Sequence, residues 1–179
     1  FPTRRSSDLL GAMTDFVLDF GGEFAEAALG HAGFGLDLDF AANGLADEER
    51  HLDLHVRATM RLSHAALGAM LARGHGRIIN VASMAGLRVL PQIGVYCMSK
   101  SAVVQMTKAM ALEWGKFGIN VNALCPGYID TEINHHHWQT EAGQKLVQML
   151  PRKRVGHPAN LDAMLVALCS DQSHFVNGA

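Results

Sequence analysis

Gly76-Arg77-Ile78-Ile79-Asn80-Val81-Ala82-Ser83-Met84-Ala85-Gly86, residues 76–86, is the stretch that decides the fold. Its centre, Arg77 to Ser83, is short, rich in β-branched residues and bounded by Gly76 and Gly86, the pattern of a strand buried on both faces of a parallel sheet. Working outward, the pattern predicts a long helix from Gln92 to Trp114, closed by Gly115 and Gly118, that feeds a second strand over Ile119 to Leu124. Upstream, Asp47 to Ala72 predicts another helix, with Asp47, Glu48 and Glu49 at the positive end of its dipole and Gly74 and Gly76 marking its stop. Downstream, Glu141 to Leu150 reads as helical, and Pro158 sits where a helix beginning at Ala159 accepts a proline. Helices alternating with strands define an α/β chain whose parallel sheet is covered by helices on both faces. No internal repeat or low-complexity segment interrupts the alternation.

The chemistry gathers on the same elements. Tyr96 and Lys100 lie four apart in a Tyr-Cys-Met-Ser-Lys run, so a helix stacks the phenol and the ammonium on one face. A free Tyr has a pKa of about 10, and a neighbouring cation favours the phenolate by roughly 1–3 units. Tyr96 is therefore a candidate general acid or base. Ser83 falls at the carboxyl end of the first strand, where open α/β sheets bind their ligands, and its hydroxyl suits a substrate carbonyl.

Four segments, GRIINVASMAG, YCMSK, GINVNALCPGYIDTEIN and RVGHPANLDAMLVALCSDQSHFVNGA, together resemble the short-chain dehydrogenase/reductase family, over about Gly30 to Ala179. The resemblance implies a Rossmann-like doubly wound parallel sheet and an oxidoreductase that uses NAD or NADP to interconvert a ketone and a secondary alcohol. It implies Tyr96 as the proton donor or acceptor at the substrate oxygen. Lys100 would lower the pKa of Tyr96 and hold the nicotinamide ribose, and Ser83 would polarise the carbonyl. Ala32 and Gly33 match a cofactor-facing turn, and Pro126, Gly127, Ile129 and Thr131 match the turn that borders the nicotinamide. Tyr128 and Trp138 fall in the family's substrate-covering loop and are candidate specificity residues. A homodimer or homotetramer is implied, with the catalytic helix and the one before it as the usual dimer interface.

Two positions depart from that pattern. Gly30 and His31 stand where two asparagines are expected, and His55 stands where an Asn anchors a water in the family's proton relay. A histidine there also bonds water and passes protons, with a larger ring and a variable charge. Drift or sequence error and a tuned site are both open readings. They leave two functional classes: a catalytic oxidoreductase, or a degenerate, non-catalytic relative that binds a ligand or partner on the same scaffold.

A dinucleotide-binding fold opens with a strand, a glycine-rich turn and a helix whose N-terminus takes the pyrophosphate. No such turn follows a strand here, so the first strands, the glycine-rich turn and the last strand are expected to be missing, and dinucleotide binding by this chain is expected to be poor. Phe1 to Leu9 resembles translated sequencing adapter, with a basic linker as the alternative. Residues 10–29 repeat apolar positions at helical spacing, broken near Gly21-Gly22, and read as an uncertain junction. Residues 30–179 are then the catalytic portion of one domain.

Composition mostly excludes. A net charge of −2, from 15 Lys+Arg and 17 Asp+Glu, leaves no electrostatic footprint for nucleic acid. The apolar runs fall far below the roughly 20 residues that span a bilayer. Three widely spaced cysteines, Cys97, Cys125 and Cys169, suit reduced thiols in a cytoplasmic protein rather than a disulfide framework. His135-His136-His137 invites a metal, but no Cys or carboxylate accompanies it at a ligand spacing, so no metal site is expected. The methionines Met98, Met106 and Met110 read as helix packing.

Overall fold

The computed structural model describes residues 45–179. The expectations for residues 1–9 and 10–29, and for Gly30, His31, Ala32 and Gly33, lie outside these described residues.

Helical backbone runs from Leu45 to Arg73 in three parts: α1 (Leu45–Leu52), a π-helical turn (Asp53–Arg57) and α2 (Ala58–Arg73). The predicted helix is thus two residues longer at its start, and it carries an interruption that its periodicity did not reveal. Its end follows the expected chemistry, with Gly74 in the left-handed region at φ 71°. Strand β1 (Gly76–Val81) follows at once, and its first glycine lies against Met70, whose side chain would have to shift for a Cβ that would otherwise stand 2.5 Å from Sδ.

From β1 the chain passes through a short 3₁₀ turn (Met84–Gly86), then α3 (Gly94–Trp114), and returns as β2 (Ile119–Leu124). The strands pair in parallel, from Gly76 with Ile119 to Val81 with Leu124, and two further bonds, Ala82 N to Leu124 O (2.8 Å) and Met84 N to Pro126 O (2.9 Å), carry the pairing past both strand ends. Strand β1 stops at Val81, so Ser83 lies two residues beyond it and caps the 3₁₀ turn instead of ending the strand. Helix α3 starts at Gly94 and not at Gln92, because Gln92 sits at φ 67°, outside the helical region.

Helix α3 packs against the sheet through two apolar clusters. Met70, Met110, Ala111, Trp114, Ile119 and Val121 form one; Ala82, Val103 and Val104 form the other. Asn80 Nδ2 donates to Thr107 Oγ1 at 2.9 Å, which ties β1 to the same helix. Of the three methionines assigned to packing, Met110 is buried and Met106 is partly buried, but Met98 is 43% exposed.

After β2 the chain forms a lobe of α4 (His135–Gln139) and α5 (Glu141–Met149), closed at its base where Ile129 pairs with Gly156. The helix expected from Ala159 is displaced: a 3₁₀ turn occupies Pro158–Asn160, and α6 runs from Asp162 to Cys169. The last residues then lie along β2. Gly178 N donates to Val121 O, Ala123 N to Ala179 O, and the Asn122 side chain bonds both Val176 O and Ala179 N.

Candidate active site

The site lies at the carboxyl ends of β1 and β2, where the first turn of α3 meets the Ser83 turn. Close packing brings them together. Gly86 has no room for a side chain, since a Cβ would stand 2.7 Å from the Lys100 carbonyl oxygen, and Ser101 Oγ donates to Gly86 O at 3.0 Å. The turn so held directs Ser83 at Tyr96, and the two hydroxyls are hydrogen-bonded. Ser83 Oγ also accepts from Ala85 N at 3.1 Å, which fixes the serine from behind. Lys100 Nζ lies 5.8 Å from the centre of the Tyr96 ring and donates to Val81 O at 3.1 Å. The three residues singled out in sequence therefore converge.

His55 joins them from the π-helical turn. Its buried ring lies 5.4 Å from the Tyr96 ring and 5.3 Å from that of His51, and its Nδ1 is 2.9 Å from Ser99 Oγ. The wider turn matters here, since π-turns are concentrated at functional sites. Sequence reading missed two members of the cluster, His51 and Ser99. His51 stood four residues before His55, and Ser99 inside the Tyr-Cys-Met-Ser-Lys run, where the spacing alone could have flagged them.

Burial dominates the electrostatics. It raises the Tyr96 phenol above its ordinary value, partly offset by the Ser83 hydrogen bond, with Cys97 adding to the rise. Lys100 is lowered to about 8 by burial, against a smaller opposing effect of Cys125. His55 is lowered to about 3, first by burial and then by the charges of Lys100 and His51. The expectation that Lys100 depresses Tyr96 is thus reversed. Desolvation of the phenol outweighs a cation whose hydrogen bond goes to a backbone carbonyl and whose own charge burial disfavours.

The expected nicotinamide-side residues are on the turn that leaves β2. Pro126 is joined to Met84, and Asn134 braces the rest: its Oδ1 accepts from Thr131 N and its Nδ2 donates to Ile129 O, both at 2.8 Å. Tyr128 is half-buried and meets Trp138 edge to face at 5.8 Å. Trp138 itself is 5% exposed, with Nε1 donating to Asn134 Oδ1, so it forms the interior of the lobe. His135 is held by Asp130 at 3.0 Å, and among the described residues no three His, Cys, Asp or Glu side chains gather as metal ligands.

A family profile described as Enoyl-(Acyl carrier protein) reductase matches residues 20–179. NAD-dependent glycerol dehydrogenase of Listeria innocua is 32% identical over 73% of this chain and 51% of its own length. D-threitol dehydrogenase of Mycolicibacterium smegmatis is 36% identical over 75% of this chain and 52% of its own. A crystal structure of a gluconate 5-dehydrogenase from Burkholderia cenocepacia, in complex with NADP and tartrate, superimposes with a TM-score of 0.77 at 30% identity, covering 87% of this chain and 64% of that one. The fold and the match define a Rossmann-type α/β protein. The chain belongs to the short-chain dehydrogenase/reductase family, and it spans about half the length of the curated relatives it matches.

Proposed function

We propose that this site interconverts a ketone and a secondary alcohol with NAD or NADP as the hydride carrier and Tyr96 as general acid or base. The observation that carries the reading is the Ser83–Tyr96 hydrogen bond beside Lys100 at the carboxyl ends of two parallel strands. In the reducing direction Tyr96 protonates the substrate oxygen, and Ser83 holds that oxygen in place. Burial suits this role, because it keeps the phenol protonated until a developing alkoxide draws the proton away.

The residues fit the nicotinamide-ribose end of a dinucleotide: a half-buried ammonium at Lys100 and an open turn at Gly127, flanked by Pro126, Ile129 and Thr131. The bound cofactor supplies or accepts the hydride. For this chain we infer weak dinucleotide binding, since no Gly-x-x-x-Gly-x-Gly pattern occurs in its sequence. Ala32 and Gly33 are proposed as further cofactor contacts, Tyr128 as a substrate-side residue with Trp138 packed against it from the lobe interior, and His55 as the residue that anchors a water of the proton relay. Exposed Met60, Leu62 and Leu112 on α2 and α3 support a homodimer or homotetramer. Among the described residues no helix is long and apolar enough to cross a membrane.

The test is turnover of a panel of ketones and secondary alcohols with millimolar NADH, NADPH or their oxidised forms. Tyr96→Phe is expected to lower the rate by about 10²–10⁴. Undiminished turnover in that variant overturns the assignment, and micromolar binding of NADPH by this chain overturns the inference of weak affinity.

A further inference from the structure

Ser99 is fully buried, and its hydroxyl stands 2.9 Å from two atoms, His55 Nδ1 and the Tyr96 carbonyl oxygen. The carbonyl can only accept, and a serine has one proton to give. When that proton goes to the carbonyl, Ser99 Oγ accepts from a protonated Nδ1, and both contacts are hydrogen bonds. When it goes to Nδ1 instead, the carbonyl contact sets lone pair against lone pair, and one of two buried bonds is lost. Lys100 acts on this imidazole as a positive charge and so disfavours protonation of both nitrogens at once.

We propose that Ser99 is a positioning residue that holds His55 as its Nδ1–H tautomer and so makes Nε2 the acceptor within the Tyr96–Lys100–His51 cluster. The inference deepens the oxidoreductase reading and takes its catalytic meaning from it. His55 then acts by accepting a hydrogen bond at Nε2. Its Nδ1 side is closed to proton traffic, because the chain from Nδ1 through Ser99 ends on a backbone carbonyl that has no proton to pass on. The positions are reciprocal: the hydroxyl that orients the ring hangs from the helical turn that carries Tyr96, so the tautomer and the placement of the phenol are set by one element.

Long-range proton–nitrogen correlation spectra of the ¹⁵N-labelled chain at pH 7 read the tautomer of each of its ten histidines. The His55 pattern is identified by its loss in His55→Asn. The expected result is an Nδ1–H pattern in the wild type that is lost to Nε2–H in Ser99→Ala. An Nε2–H pattern in the wild type overturns the proposal without any need for the variant to fold, and so does an Nδ1–H pattern that survives Ser99→Ala. Failure of the oxidoreductase reading is visible separately, as absence of dinucleotide-dependent turnover with the tautomer unchanged.

Discussion

At the scale of single residues, His55 shows how placement sets charge. Its ring is buried beside an ammonium, so the folded protein refuses a proton that the unfolded chain accepts near pH 6.5; folded, the imidazole titrates at about 3. A depressed pKa contributes stability above the unfolded value and loses it as pH falls toward the folded one. The loss amounts to about 1.4 kcal/mol for each pH unit crossed between those limits. We therefore expect the midpoint of urea unfolding to fall as pH drops from 6.5 toward 4, and to fall less steeply in His55→Asn. Parallel slopes for the two proteins would show that the imidazole is not held neutral. Lys100 follows the same sign at higher pH: burial of its charge opposes folding fully below about 8, and the opposition fades as pH rises from there to the unfolded value of 10.5.

At the scale of elements, the Ser83 turn and the head of α3 behave as one unit because Gly86 lets them touch. Gly86→Ala puts a Cβ where the Lys100 carbonyl stands at 2.7 Å, and backbone on backbone has no soft rotamer to yield. Such overpacking costs typically about 1–3 kcal/mol. It should also pull Ser83 away from Tyr96, so the expected outcome is a lower melting temperature together with a loss of turnover larger than the change in folded fraction explains. Equal losses in both would mean that the turn does not position Ser83. These elements were legible in sequence because glycines punctuate them and β-branched runs fill them; Ile119 to Leu124 was read to the residue. The π-helical turn was not legible, since Asp53 to Arg57 contains neither Gly nor Pro to mark it. Nor was the direction of the Tyr96 shift, because adjacency along a helix is written in the sequence whereas burial depends on what covers it.

At the scale of the molecule, the sheet is completed by side chains as much as by backbone. Asn120, Asn122 and Asn177 bind the final residues to β2 and α3: Asn120 Nδ2 reaches His174 O at 2.8 Å, and Asn177 Nδ2 reaches Ala111 O at 3.0 Å. Asn122 is 1% exposed and serves the tail at both Val176 and Ala179. Asn122→Ala leaves buried polar groups unmatched at about 1–3 kcal/mol. The expected outcome is faster trimming of the last residues by carboxypeptidase, and an unchanged trimming rate would show that the asparagine does not hold the tail.

The parallel pairing of β1 with β2 also bears on how the chain reaches this state. Every partner in that ladder is 43 positions from its mate, from Gly76–Ile119 to Val81–Leu124, and the tail's bonds to β2 span 53 to 57. Helix α3, whose contacts are local, forms on a timescale of roughly a microsecond and shortens the gap that the strands must close. The tail follows both strands in the chain, so in synthesis from the N-terminus the helix that carries Tyr96, Lys100 and Ser99 is made before the residues that bind along β2.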